Sequence, residues 1–176
     1  MVDEPNKSIC IKILSDNEEL FRKVQGSSHN HQNWAGGYYD HIQEVMNIAI
    51  LFYECMGKVR QLEFSLSDAL LILFLHDIEK PWKYELDSCG EVQIIKSLQD
   101  KDSQKKFRFK KLKEYGIKLN TDQENAMKYV EGEYKDYSSK RRAMNPLAAF
   151  CNLCDTTSGR IWFDYPLKEN DSWKDQ

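Results

Sequence analysis

The chain has 176 residues, 30% of them charged and 41% hydrophobic, and a formal net charge of −3. That composition suits one folded domain, long enough to bury a sizeable core. No apolar stretch approaches the roughly 20 residues needed to span a bilayer, the start MVDEPNKS has no signal-peptide apolar core, and five cysteines in this length do not form a disulfide framework. A cytoplasmic protein with reduced cysteines is therefore expected.

Taken in chain order, the first segment, SICIKIL, alternates Ile9, Ile11 and Ile13 and reads as a short strand or a helix start. Ser15 can cap a helix through Val24, with Glu18 completing a capping box. From Asp40 to Met56, apolar residues at Ile42, Val45, Met46, Ala49, Phe52, Tyr53 and Met56 have helical spacing, and Gly57 follows as a stop. Ser65 can cap Leu66–Ile78, which is apolar almost all round and so central, with Pro81 ending it. YELDSCGEVQII has a turn cluster, Asp87 to Gly90, between two short strand candidates. Thr121 or Asn120 caps Asp122–Tyr134. Asn145 before Pro146 opens a helix through about Ile161. The expectation is an all-α fold: a single helical domain with its core at about residues 16–165, terminal extensions, and at most a short β-hairpin.

Residues 101–118 carry eight Lys/Arg against two acids. The segment reads as a solvated helix face ahead of an attractor for polyphosphate, nucleic acid or a second subunit, because no base-stacking or groove-reading motif accompanies it.

The chain has four histidines, three of them in SSHNHQNWAGGYYDH. His41 begins an amphipathic helix and shares a face with Val45 and Ile48. His76 and Asp77 end the central helix; adjacent helical residues diverge by about 100°, yet both can reach one ion across the helix end. Asp155 sits in the stripe Leu147, Cys151, Cys154 and Ser158, where a carboxylate needs a partner.

YYDHIQEVMNIA, LFLHDIEKPW and NLCDTTSGRIW together resemble the HD superfamily of metal-dependent phosphohydrolases, over about residues 26–165. Its pattern is a His, an adjacent His-Asp pair and a distant Asp, here His41, His76, Asp77 and Asp155. The resemblance implies an all-helical fold, a divalent metal on those four residues, and attack of metal-bound water on phosphorus. Two imidazoles and two carboxylates suit Zn, Co, Mn, Fe or Ni, with open positions left for water and phosphate. One metal is expected, since no histidine follows His76, with room for an additional Mg on the substrate phosphates.

Lys80 matches the lysine of the family's HD-x-x-K variant and is expected to contact phosphate. Glu79, where many relatives have Gly, is either a general acid/base or a surface residue at a helix end. His31 stands just before the glycine pair, as in a subgroup of small nucleotidases and exoribonucleases. It could polarise the leaving phosphate; His29 has a weaker claim. Trp34 either fills the core or stacks on a base. Arg142 and Arg160 are either anion contacts or ordinary surface cations.

The resemblance extends to the small phage deoxyadenosine triphosphate triphosphohydrolases. That implies attack on the α-phosphorus of dATP, release of triphosphate, and a homo-oligomer. A 3′–5′ exonuclease, a 5′-nucleotidase and a non-catalytic nucleotide sensor remain as alternatives. The pair Cys151 and Cys154 lacks the second pair of a zinc ribbon and reads as core. The deaminase signature, the P-loop and the dinucleotide fingerprint are absent.

Overall fold

The computed structural model describes residues 1–27, 30–86, 92–167 and 171–173. Among them are seven helices: α1 (Asn6–Asp16), α2 (Glu18–Lys23), α3 (Gly37–Gly57), α4 (Leu66–Leu75), α5 (Lys101–Tyr115), α6 (Thr121–Tyr129) and α7 (Pro146–Arg160). A two-stranded antiparallel hairpin, β1 (Tyr84–Leu86) and β2 (Val92–Ile94), is the only sheet among the described residues. Tyr84 pairs with Ile94 and Glu85 with Gln93. The expected turn cluster, Asp87 to Gly90, lies outside the described residues.

The all-α expectation holds, and three cap expectations hold with it. Ser65 and Asp68 form a capping box at the start of α4. Asn120, not Thr121, caps α6, in a box with Gln123. The Asn145 side chain accepts from the Ala148 amide, with Pro146 in the first turn of α7. Each cap satisfies an amide that the helix itself cannot.

Two boundaries differ, and one of two open readings is decided. SICIKIL is helix, not strand: Cys10 and Ile13 are buried while Ile11 is 59% exposed, so the helical period wins over the alternation of isoleucines. Ser15 does not cap; it lies inside α1, its hydroxyl donating to the Lys12 carbonyl, and Asn17 separates α1 from α2. The helix expected to run to Tyr134 stops at Tyr129, close before Gly132, which has a φ of +119°.

α4 is the hub. Ala69 through Leu75 are all buried, and α4 packs against α3, α6 and α7, while α3 and α7 also pack on each other. No helix among the described residues is long and apolar enough to cross a membrane. α4 itself ends at Leu75. Beyond it the chain tightens: Ile78, Lys80 and Trp82 donate to carbonyls three residues back, at Leu75, Asp77 and Glu79. Residues three apart eclipse in such turns, which stacks Lys80 on Asp77.

The glycines before α3 serve a close approach. Gly36 has a φ of +87°, and a Cβ on Gly37 would stand 1.9 Å from the Gln32 carbonyl oxygen. That carbonyl also accepts from the Gly26 and Trp34 amides. The glycine pair thus folds the preceding loop tightly onto the start of α3 and sets where His41 emerges.

Candidate metal centre

Three helices deliver the ligand candidates. His41 comes from the second turn of α3, His76 from the C-cap of α4, and Asp155 from the middle of α7. One ligand atom from each lies within 4.8 Å of the others. Asp155 Oδ1 is 3.2 Å from His41 Nε2 and 3.5 Å from His76 Nε2. Asp77 Oδ2 adjoins this trio, 3.2 Å from His76 Nε2 and 3.9 Å from His41 Nε2. The four ligands expected from the sequence therefore converge, with Asp77 on the flank.

The outward nitrogen of each imidazole is spoken for. His76 Nδ1 donates to the Leu73 carbonyl at 2.7 Å. His41 Nδ1 lies 3.0 Å from Ser158 Oγ, which donates onward to Glu44 Oε2, so Nδ1 carries the proton. Gln32 Nε2 donates to the same Glu44 oxygen at 2.9 Å. Both Nε2 atoms then face the carboxylates. They are buried and make no hydrogen bond of good geometry, although a carboxylate oxygen stands 3.2 Å from each. Two orphaned imidazole nitrogens beside two carboxylates are a donor set that fits a divalent transition ion.

The electrostatics are tightly coupled. Burial disfavours the His76 imidazolium, but Asp77 and then Asp155 outweigh it and raise its pKa to about 10. Burial pushes His41 the other way, below its ordinary value, against the pull of Asp155. Asp77 and Asp155 both lie well below the carboxylate range despite burial: Lys80 and His76 hold Asp77 down, and the two histidines hold Asp155 down.

Lys80 is buried, with Nζ 2.6 Å from Asp77 Oδ2. His31 packs beside the site, its ring centre 5.0 Å from that of His41. Its Nε2 is buried without a partner, and burial, with Lys80 and His41 adding to it, lowers its pKa to about 4. His31 is thus a neutral imidazole at neutral pH. His29 lies outside the described residues.

Glu79 is not a surface residue. It is 2% exposed, and both its oxygens accept from Arg108, each at 3.0 Å. Engaged in this way it positions a guanidinium. Trp34 is half-buried and donates from Nε1 to Asp40 at 2.7 Å, which fixes it to the first turn of α3. Arg142 and Arg160 are exposed, and among the described residues neither pairs with the site.

Sequence reasoning missed Arg108, the deepest cation of the site. It is 1% exposed; Nη2 also reaches Glu131 at 3.4 Å and approaches Asp77 to 3.9 Å, while Nη1 is buried with no partner. It lies within the basic run, and only its spacing with Gln104 and Leu112, the other buried residues of α5, marks it as inward. Glu44 and Gln32 were missed as well. Glu44 carried a signal: it lies three residues after His41, on the same helical face.

No protein-family model matches the chain, and no curated protein and no solved structure is similar to it at a significant level.

Proposed function

We propose that the chain is a metal-dependent nucleotide phosphohydrolase of the HD type. The observation that carries this is the pair of buried Nε2 atoms, each without a hydrogen bond, that meet Asp155 between three helices. A divalent transition ion held by His41, His76, Asp77 and Asp155 would supply a Lewis acid that acidifies water and neutralises phosphate charge. The rest of the chemistry belongs to the chain. Ser158 and the Leu73 carbonyl fix the tautomers of His41 and His76. Lys80 and Arg108 place two permanent cations beside Asp77, where phosphate oxygens would gather. The unpaired Nη1 of Arg108 offers donors with no competing partner. Neutral His31, next to His41, can donate to the leaving 5′-oxygen.

Within this class we favour a deoxynucleoside triphosphate, dATP first, with water attacking the α-phosphorus, the bond from that phosphorus to the sugar 5′-oxygen breaking, and the 5′-oxygen leaving with a proton, so that triphosphate and the deoxynucleoside are released. The test is product identification. Metal-loaded protein is incubated with each dNTP, each dNMP and a short oligonucleotide. Triphosphate plus deoxynucleoside is the expected result. Orthophosphate from a dNMP would make it a 5′-nucleotidase, and mononucleotides shed from the oligonucleotide a 3′–5′ exonuclease. No turnover with Zn, Co, Mn, Fe or Ni, with or without Mg, would leave a nucleotide sensor.

A further inference from the structure

A cavity of about 520 Å³ lies between α5 and residues 128–136. That size falls within the roughly 300–1,000 Å³ of small-molecule sites. It adjoins the metal centre through a chain of charges. Lys101 Nζ is 2.6 Å from Glu131 Oε1, Glu131 Oε2 is 3.4 Å from Arg108 Nη2, and Arg108 Nη2 is 3.9 Å from Asp77 Oδ1. Lys101 and Glu131 line the cavity. Its lining carries four lysines and four acids, so it is balanced in charge. Such a wall does not collect phosphates; it suits the uncharged part of a ligand whose phosphates lie elsewhere.

Tyr134 forms one side. It is 67% exposed, yet its backbone is left-handed, with a φ of +46°. That conformation is strained for a bulky residue, and an exposed ring gains little burial in exchange. The strain is held from both flanks. Glu133 Oε1 accepts from the Ala143 and Met144 amides at 2.8 and 2.7 Å, and Asp136 Oδ2 accepts from the Tyr129 hydroxyl at 2.9 Å. The ring lies over Gly132, where a Cβ would stand 3.6 Å from it. Partial burial and then Glu131 raise the Tyr134 phenol above its ordinary value; Lys101 opposes this, and Asp155 and Asp77 add to it.

We propose that this cavity receives the base and sugar of the substrate, with Tyr134 as the platform on which the base stacks. This rests on the nucleotide-phosphohydrolase reading above. Stacking on an aromatic face is tolerant of base identity, so Tyr134 sets that a base is bound, not which one.

The test separates the two halves of the substrate. Binding of each of the four common deoxynucleosides, and separately of inorganic tripolyphosphate, is measured on the metal-loaded protein by calorimetry. Neither ligand can be turned over by the proposed reaction. Tyr134→Gly, which also relieves the positive φ, is compared with Tyr134→Phe, with folding checked by thermal melting. The expected result is a tenfold or greater loss of deoxynucleoside affinity in Tyr134→Gly. Tripolyphosphate affinity stays within twofold, and both affinities are kept in Tyr134→Phe. Equal deoxynucleoside affinity in Tyr134→Gly, or parallel loss of both ligands, overturns the subsite. So does an absence of deoxynucleoside binding to the unmodified protein at millimolar concentration; tripolyphosphate binding would then leave the phosphohydrolase reading standing. Binding of neither ligand overturns both.

Discussion

His76 carries the sharpest consequence of the site's charge. Without metal it is an imidazolium at neutral pH, its pKa raised to about 10 by Asp77 and Asp155 against burial. A metal ligand must be neutral, so the ion displaces a proton. Metal uptake at pH 7.5 is expected to release about one proton per ion from His76, read as a difference between calorimetric heats in buffers of unlike ionisation enthalpy. The sign for folding follows from the same shift. A raised folded pKa stabilises fully below the unfolded value of about 6.5, and the contribution is lost as pH rises through the folded value. The depressed Asp77 and Asp155 do the reverse, stabilising above an unfolded value of about 3.9 and losing that as pH falls. Metal-free protein should therefore lose thermal stability between pH 7 and 10, whereas metal-loaded protein, with His76 already neutral, should not lose this contribution. Ser158 acts through His41. Ser158→Ala removes the acceptor that fixes Nδ1–H, and metal affinity is expected to fall by about 10–100-fold, measured by competition with a chromophoric chelator.

Among the elements, those bounded by caps were legible and those shaped by polar packing were not. Ser65, Asn120 and Asn145 announced their helices because a side-chain acceptor at a helix start serves amides with no other partner. The candidate metal ligands were legible for a related reason: His76, Asp77 and Asp155 interrupt apolar stripes, and a polar group there needs a partner. α5 gave no such contrast. Its inward stripe is Gln104, Arg108 and Leu112, two polar residues and one leucine, set among exposed lysines. One buried cation in a run of eight does not disturb a periodicity that is already polar. α5 is instead tied to the α4 end by the Glu79–Arg108 pair. Arg108→Ala strands a buried carboxylate and is expected to cost about 3–5 kcal/mol in urea unfolding. The double replacement Glu79→Leu with Arg108→Met should regain most of that stability, since buried pairs tolerate apolar substitutes. Turnover should stay low in the double variant, because the guanidinium donors are gone. That split between stability and activity separates a phosphate contact from a mere staple. At the start of α3 the expectation is steric. Gly37→Ala places a Cβ against the Gln32 carbonyl and should destabilise by more than the roughly 1 kcal/mol lost in Ser65→Ala.

Across the whole molecule, the candidate ligands join three helices that are far apart in sequence. His41, His76 and Asp155 come from α3, the end of α4 and α7, three elements that pack on one another. A metal bound there cross-links the core, so its binding energy stabilises the fold. At a free concentration of 100 times Kd the gain is about 2.7 kcal/mol, visible as a rise in Tm that a chelator reverses. The same placement leaves Asp155 as the most accessible of the four, its side chain 23% exposed against 0% for His41. Under the proposed function, substrate would therefore reach the site at Asp155. The central claim, that these residues form one metal site, is tested most directly by counting bound metal after removal of free ions. The intact protein should retain one transition ion per chain, and folded His76→Ala and Asp155→Ala variants should retain none. Full and equally tight occupancy in both variants, or no retained ion in the intact protein with any of the five metals, would contradict it.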